Sequence, residues 1–483
     1  MSTPSKARWL ALAVVCTGSL MNVLDTTIVG VALPAIRHDL GFSQASLAWV
    51  VNAYLLTYGG FLLLGGRLGD LFGHRRLFAA GITVFTLASV ACGLASGQAF
   101  LLAARAVQGL GGAVASAVAL SLVVSLFPEP GERAKAMGVF GMVSAGGGSI
   151  GVLGGGVLTG LLSWHWIFLV NAPIGVVVLL AALRVLPASP APARGGRLDV
   201  AGAVLVTAAV MLAVYAVVGA GQAGWASART LGTLAAATVL LAAFAVVEAQ
   251  VSDPLMPLRL LRLRNLSTAS VTGVLWAAAM FASFFLTTLY LQFVLGYSPL
   301  VTGLAFLPMN LIMAGLSAGV AARLVARFGV RPPLVSGLVM AGAGLALMGR
   351  APVGGHFLTD VLPAGILLGA GAGTALAPLL VGATSDVRPD DAGLASGMVN
   401  TSFMLGGALG LAVLASLAAT RTGSLLAAGQ GHLAALNGGY HAAFLAGAAC
   451  AAGAALLSCW LRPPAPAPAA GISRYQVCVP SEN

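Results

Sequence analysis

Residues 66–76 read GRLGDLFGHRR, and residues 322–332 read ARLVARFGVRP. Arg67, Leu68, Phe72, Gly73 and Arg75 of the first fall in register with Arg323, Leu324, Phe328, Gly329 and Arg331 of the second. Each stretch follows the second long apolar run of its half of the chain. An internal repeat of apolar helices is how many secondary transporters are built. The repeat is imperfect at one place: Asp70 has Ala326 as its counterpart.

Outward from the two loops, the 483 residues are 59% hydrophobic and only 8% charged, with a mean hydropathy of +0.98. A water-soluble domain carries about 25% charged residues, so this chain cannot cover a water-facing surface. Runs of bilayer-spanning length recur at about 9–33, 45–66, 77–96, 99–126, 134–161, 165–186, 199–220, 230–250, 268–295, 300–326, 333–349, 361–384, 392–418 and 439–461. Two stretches break this rhythm: PASPAPARGGRLD (Pro187 to Asp199) and the basic, amphipathic SDPLMPLRLLRLRN (Ser252 to Asn265). Only two spans lie between them, which leaves six before and six after. The expected fold is an all-α integral membrane protein with fourteen transmembrane helices: two six-helix bundles and two inserted helices. The expected divisions are 1–186, the insert with its flanking segments at 187–265, 266–461, and a cytoplasmic tail at 462–483.

The net charge of +11 could suggest nucleic acid, but its placement argues against that partner. With the N-terminus inside, 19 of the 24 Lys and Arg residues fall in cytoplasmic segments. Arg37, Arg229, Arg350 and Arg421 fall outside, and Arg105 alone falls within a span. That is the positive-inside pattern, and it predicts that both termini are cytoplasmic. The first run is too long and too charged for a cleaved signal peptide. The five cysteines have no metal-ligand spacing and read as small apolar residues. No phosphate-binding loop, metal cluster or nucleophile–base set is recognisable, so no enzyme and no cofactor is expected.

Asp25 and Arg105 are the only formal charges deep inside the twelve-helix core. Counted at 1.5 Å per residue from the outer edge, they lie ~12 Å and ~9 Å deep. An isolated charge there is very unfavourable, so the two are predicted to pair, directly or through water. Burial favours the neutral acid and a guanidinium favours the carboxylate, so such a pair can be tipped. The alternative is a static bridge that fixes helix packing. Gly147, Gly151 and Gly155 recur every four residues, with Gly148 and Gly156 beside them. That spacing lets two helices approach backbone to backbone. Asn22, Asn52, Tyr54 and Gln108 in the first half, and Phe281, Phe284, Tyr290, Gln292 and Asn310 in the second, are candidates for a substrate cavity. Aromatic walls with few polar groups suit amphipathic and cationic organic ligands, although each residue could equally be packing. Pro308 is expected to bend its helix. His165 and Glu248 read as structural.

Several stretches together resemble the major facilitator superfamily, in its fourteen-span drug/proton antiporter branch. LDTTIVGVALP (Leu24 to Pro34) resembles that branch's first-helix motif, GRLGDLFGHRR its loop motif, and RAVQGLGGA (Arg105 to Ala113) its fourth-helix motif. WHWIFLVNAPIG (Trp164 to Gly175), PLMPLRLLRLRN (Pro254 to Asn265), YLQFVLGYSP (Tyr290 to Pro299) and GLASGMVNTSFMLGGALG (Gly393 to Gly410) are similar to further signatures, in order along the chain. The resemblance implies proton-driven efflux of drugs, antibiotics or dyes, with Asp25 as the coupling carboxylate and Arg105 as its relay. It implies a cytoplasmic-side gate at Gly66, Asp70, Gly73, Arg75 and Arg76, for which a plain solvated basic loop is the alternative. It assigns Gly147, Gly151, Gly155 and Gly156 to an antiporter motif, here with Val152 where a proline is usual. His165 stands where the family usually has arginine. The implied setting is a bacterial inner membrane, with protons, lipid and a small organic substrate as partners and the monomer as the working unit. A proton-coupled importer, or a non-transporting lipid-handling or sensor protein, are the rival readings.

Overall fold

The computed structural model describes residues 5–44, 46–187, 199–251, 254, 259–388 and 391–461. Most of the linker at 187–199, residues 252–253 and 255–258 of the basic segment, and the tail at 462–483 lie outside the described residues. No strand occurs among those described. In hydrocarbon every backbone amide must bond within its own helix, and thirteen helices are long and apolar enough to cross a membrane.

In chain order the helices are α1 (Ser5–Leu40), α2 (Trp49–Phe72), α3 (His74–Gly93), α4 (Gln98–Leu126), α5 (Pro130–Leu161), the short α6 (Trp166–Leu169) and α7 (Asn171–Val185). The inserted pair is α8 (Val200–Ala223) and α9 (Ala228–Gln250). Then come α10 (Arg264–Leu289), α11 (Pro299–Gly315), α12 (Ala321–Phe328), α13 (Arg331–Met348), α14 (Leu362–Thr384), α15 (Ala392–Ala427) and α16 (His432–Ser458). Side chains start several of them. Asp199 accepts from the Gly202 amide (2.7 Å), and Ser298 accepts from the Val301 amide (3.3 Å) ahead of Pro299 in the first turn. Hydroxyls inside the spans bond back to their own helix, as Thr27 does to Val23 (3.0 Å) and Thr86 to Ile82 (2.7 Å).

The run expected at 300–326 is not one helix. α11 passes through a wider π turn at Leu316–Val320, where Gly319 has φ +150°, and continues as α12. The run expected at 165–186 is likewise split, into α6 and α7. Gly73 alone makes the turn between α2 and α3, with φ +91°. Gly66 lies inside α2 with open space beside it.

The packing repeats. In the first half α1 packs on α5, α2 on α4, and α3 on both α4 and α7. In the second, α10 packs on α15, α11 on α14, and α13 on both α14 and α16. The two sets meet through the same pair used twice: α2 against α15, and α11 against α5. The inserted α8 packs on α9, α2 and α15, while α9 is the least buried span.

Glycines set the closest approaches. A β-carbon on Gly155 would lie 2.7 Å from the Ile28 carbonyl oxygen of α1, and one on Gly156 would lie 2.8 Å from the Pro299 carbonyl oxygen of α11. α5 therefore touches its own half with one glycine and the other half with the next. Gly303 of α11 answers from the opposite side, against the Val152 carbonyl. The same device recurs on α15, where Gly406 meets the Val274 backbone and Gly410 meets Ala278 of α10.

Gly155→Ala is expected to destabilise the folded protein by about 1–3 kcal/mol through overpacking. Gly148→Ala, whose nearest neighbour would stand 4.0 Å away, should be neutral. Thermal unfolding in detergent compares the two; equal midpoints would show that the close approach carries no weight.

Candidate functional site

Asp25 (0% exposed) and Arg105 (1% exposed) face each other across α1 and α4. Arg105 Nη1 donates to Asp25 Oδ2 at 2.5 Å and to Gln108 Oε1 at 2.8 Å, and Arg105 Nε donates to the Val50 carbonyl at 3.0 Å. Gln108 Nε2 donates to the other carboxylate oxygen, Asp25 Oδ1, at 2.7 Å. The acid thus has a donor on each oxygen, which is the condition under which a buried charge pair is tolerated.

The network runs further than sequence reasoning placed it. Gln108 Nε2 lies 3.1 Å from Ser89 Oγ, which also accepts from Asn171 Nδ2 (3.1 Å) and donates to the Phe168 carbonyl (2.9 Å). α1, α4, α3 and α7 are joined through buried polar atoms. Ser89 and Asn171 were the missed members. Asn171 had a signal, a lone amide in an apolar run, whereas a single serine in a span has none.

Arg105, Gln108, Gly109 and Gly112 recur at helical spacing and form one face of α4. The glycines make room for Tyr54: Gly109 abuts the Tyr54 carbonyl, and a β-carbon on Gly112 would stand 3.0 Å from the Tyr54 hydroxyl oxygen. The Tyr54 ring then lies over the guanidinium, 4.5 Å from centroid to Arg105 Cζ, with Phe168 at 5.6 Å. Aromatic faces stabilise a desolvated cation.

The other side of Tyr54 faces a cavity of about 320 Å³. Its lining includes Asn22, Thr26, Tyr54, Tyr58, Ser116 and Phe140 from the first half and Asn400 and Met404 from the second. Tyr54 and Tyr58 stack at 5.6 Å. Asn22 Nδ2 donates to Ser116 Oγ (2.7 Å), while Asn22 Oδ1 and Ser19 Oγ have no partner among the described residues. Of the nine cavity candidates, Asn22 and Tyr54 line this space, and Gln108 belongs to the ion-pair network.

The other six lie elsewhere. Asn52 is fully buried outside the lining. Phe281 meets Phe403 edge-on at 6.1 Å, and Phe284 stacks on Phe306 at 5.6 Å. Tyr290 donates to the Pro352 carbonyl (2.8 Å), and Asn310 is buried in α11. Gln292 Nε2 donates to the Val31 carbonyl at 2.8 Å, bridging the halves at the Leu40 end. Arg37 sits 5.0 Å over the Phe293 ring beside it. Together with the Gly156–Pro299 contact, these join the two halves at that end.

At the other end Arg75 donates to the Leu183 carbonyl, and Arg76 is exposed. Nothing is described of the Asp70 side chain. At the start of α15, Arg259 donates to both oxygens of Asp391, at 3.1 and 3.3 Å. His165 stacks on Trp164 at 3.8 Å, and Trp164 Nε1 donates to Asp39 (2.9 Å). Glu248 is buried near the end of α9.

Comparison with known proteins places these features in context. The Major Facilitator Superfamily profile matches residues 15–411. The puromycin resistance protein pur8 of Streptomyces alboniger is 42% identical over 88% of this chain and 84% of its own length. A cephamycin export protein of Amycolatopsis lactamdurans is 41% identical over 85% of each chain. A tetracenomycin C resistance and export protein of Streptomyces glaucescens is 37% identical over 86% of this chain and 77% of its own. Among solved structures, a bacterial homologue of the human lysosomal transporter Spinster, inward-facing and occupied, superposes with a TM-score of 0.71 at 16% identity. That match covers 96% of this chain and 100% of the other.

Removing one partner of a buried pair is expected to cost about 3–5 kcal/mol. Arg105→Met should therefore unfold well below the wild type in detergent. Adding Asp25→Asn to it should restore most of the loss, because no uncompensated charge is left. A double variant no more stable than Arg105→Met would contradict the pairing.

Proposed function

The chain belongs to the Major Facilitator Superfamily and is a multi-pass membrane transporter, and on that footing we propose that it exports small amphipathic antibiotic-like compounds in exchange for protons. The observation that carries the reading is the buried ion pair Asp25–Arg105, whose guanidinium lies against the ring of Tyr54, a residue that also lines the cavity. The relatives whose names specify puromycin, cephamycin and tetracenomycin C support an antibiotic-sized substrate. The chain's setting is then the bacterial cytoplasmic membrane, with both termini inside and fourteen crossings. α11 and α12 together supply the crossing that neither makes by length. The bundles at 1–186 and 266–461 rock about the α2–α15 and α5–α11 contacts.

With the Leu40 end outside, the Gln292–Val31 and Gly156–Pro299 contacts form the outer seal of an inward-facing state. Substrate enters the cavity from the cytoplasm and presses on Tyr54 and Tyr58. Movement of the Tyr54 ring uncovers Arg105 and strengthens its hold on the Asp25 carboxylate, so a proton on Asp25 leaves to the cytoplasm. After the bundles rock, a proton from outside takes Asp25 again, frees Arg105 to return to Tyr54, and the substrate departs. One proton enters for each substrate expelled in this scheme. Gly73 and the Arg75–Leu183 contact brace the inner loop, and Asp70 is the acid expected to latch it.

Asp25→Asn imitates the protonated acid that the cycle visits, so the protein should still fold and insert, at a lower unfolding temperature than the wild type. Drug-driven proton release in proteoliposomes should vanish. Full proton flux in that variant would sink the coupling role. Inverted vesicles acidified inside should accumulate drug with the wild type; accumulation only when the lumen is alkaline would mean import instead. Tyr54→Phe should keep coupling, because the ring and not the hydroxyl covers Arg105. Tyr54→Leu should bind drug while releasing at least about tenfold less proton per drug, and an equal stoichiometry would remove Tyr54 from the coupling path.

A further inference from the structure

We propose that a second cavity, between the inserted helices and the first half, holds the phosphate of a membrane lipid headgroup. The cavity measures about 390 Å³. Ser43, Ser46 and Trp49 line it from the α1–α2 connection, Tyr215 from α8, and Arg229 and Thr233 from α9. No acidic residue is among its described lining. It is separate from the Asp25 site and shares no lining residue with the cavity at Tyr54.

Three independent features favour an anion. The first is Arg229, one of four basic residues on the side where the charge pattern leaves few. It is exposed; its Nη2 donates to the Tyr215 hydroxyl, and its guanidinium lies 5.7 Å over that ring. One hydroxyl occupies only part of the donor fork, and a guanidinium fork matches phosphate oxygens. The second is the start of α9. Ser227 caps the helix by accepting from the Thr230 amide (3.2 Å), and the Leu231 amide bonds to the Ser227 carbonyl (3.0 Å). The amides of Ala228 and Arg229 precede the first intrahelical acceptor and add partial positive charge at this point. The third is the hydroxyl group of the facing turn. Ser43 and Ser46 lie with their oxygens 2.8 Å apart and can supply a further donor.

The rest of the lining selects a lipid over a free anion. Ala216, Val218, Gly219 and Ala223 of α8 give the cavity an apolar wall. The end of α1, the start of α2, the end of α8 and the start of α9 all meet here, which is headgroup depth for helices that cross a bilayer. Trp49 in the lining and the half-exposed Trp225 beside it are the residues that favour that depth. A phosphodiester would engage Arg229 and the α9 amides while its glycerol and acyl chains lie along α8. The lipid would then cement the inserted pair to the core where α9 itself makes little contact.

The test uses the full-length protein in detergent, with native mass spectrometry as the readout. The probes are phosphatidylglycerol, diacylglycerol with the same acyl chains, and inorganic phosphate. One phosphatidylglycerol should be retained per protein under conditions that strip diacylglycerol. Arg229→Ala should weaken that retention at least about tenfold, Arg229→Lys less, and Arg350→Ala not at all. Because Arg229 is exposed, the delipidated variants should unfold at the temperature of delipidated wild type, which separates lost binding from lost folding. Equal retention of diacylglycerol, or no effect of Arg229→Ala, would overturn the site. Displacement of the lipid by millimolar inorganic phosphate would assign the site to a free anion and overturn the lipid source.

Discussion

An ion pair sealed inside a membrane-spanning bundle is the constraint around which this molecule is arranged. Asp25 and Arg105 are removed from water, where each charge alone would be very unfavourable and the pair is tolerated only if its remaining bonding capacity is met. The second carboxylate oxygen is met by Gln108, the guanidinium by the Val50 carbonyl and two aromatic faces, and Gln108 in turn by Ser89. Each of these partners comes from a different helix, or from a different turn of the same one. The pair therefore dictates how closely α1, α2, α3, α4 and α7 must stand. Gly109 and Gly112 follow from it, because Tyr54 could not reach the guanidinium past a side chain there.

The second constraint is that two bundles must touch without locking. Polar links between them are few: Gln292 to Val31 is the clearest among the described residues. At α5–α11 glycine meets backbone, at Gly156 with Pro299 and at Gly303 with Val152, and at α2–α15 glycine meets side chain, at Gly59 with Met404 and at Gly397 with Leu63. Such surfaces gain dispersion contact from close approach, yet carry few directional bonds that a rocking motion would have to break. The repeat supplies the contact twice, since the second helix of each half meets the fifth helix of the other.

Much of this was legible in the sequence because the signals are unambiguous in hydrocarbon. Asp25 and Arg105 stood out as charges where none should be, and counting depth from the helix ends predicted their meeting. The Gly147–Gly155 spacing named a helix face, and α1 lies against it. The matching face on α15, at Gly406 and Gly410, carries the same four-residue spacing inside LGGALG. Aromatic residues misled: Phe281, Phe284 and Tyr290 look the same in sequence whether they line a cavity or fill a core, and here they pack or brace. Gln292 read as a cavity amide because a side chain's reach to a carbonyl in the other half depends on the closed arrangement of the halves. The break between α11 and α12 was equally hidden. Apolarity continues through Leu316–Val320, and only the backbone at Gly319 shows the turn.

The inserted helices alter the symmetry of the machine. α8 packs on both α2 and α15, so it covers one of the two contacts between the halves. The α5–α11 contact has no such cover among the described helices. If the halves rock, α8 must ride with one of them and slide over the other. On its contact face Ala203, Ala209, Ala216 and Ala220 are buried, Thr207 abuts Gly60 of α2, and the Ser416 hydroxyl of α15 donates to the Val217 carbonyl at 3.1 Å. Val214 and Val217 of α8 share a core cluster with Ala408 and Ala412 of α15, and Leu64 of α2 packs directly on Ala203. α8 thus holds on to both α2 and α15, one helix from each half. The insert therefore spans one seam between the halves and leaves the α5–α11 seam without it.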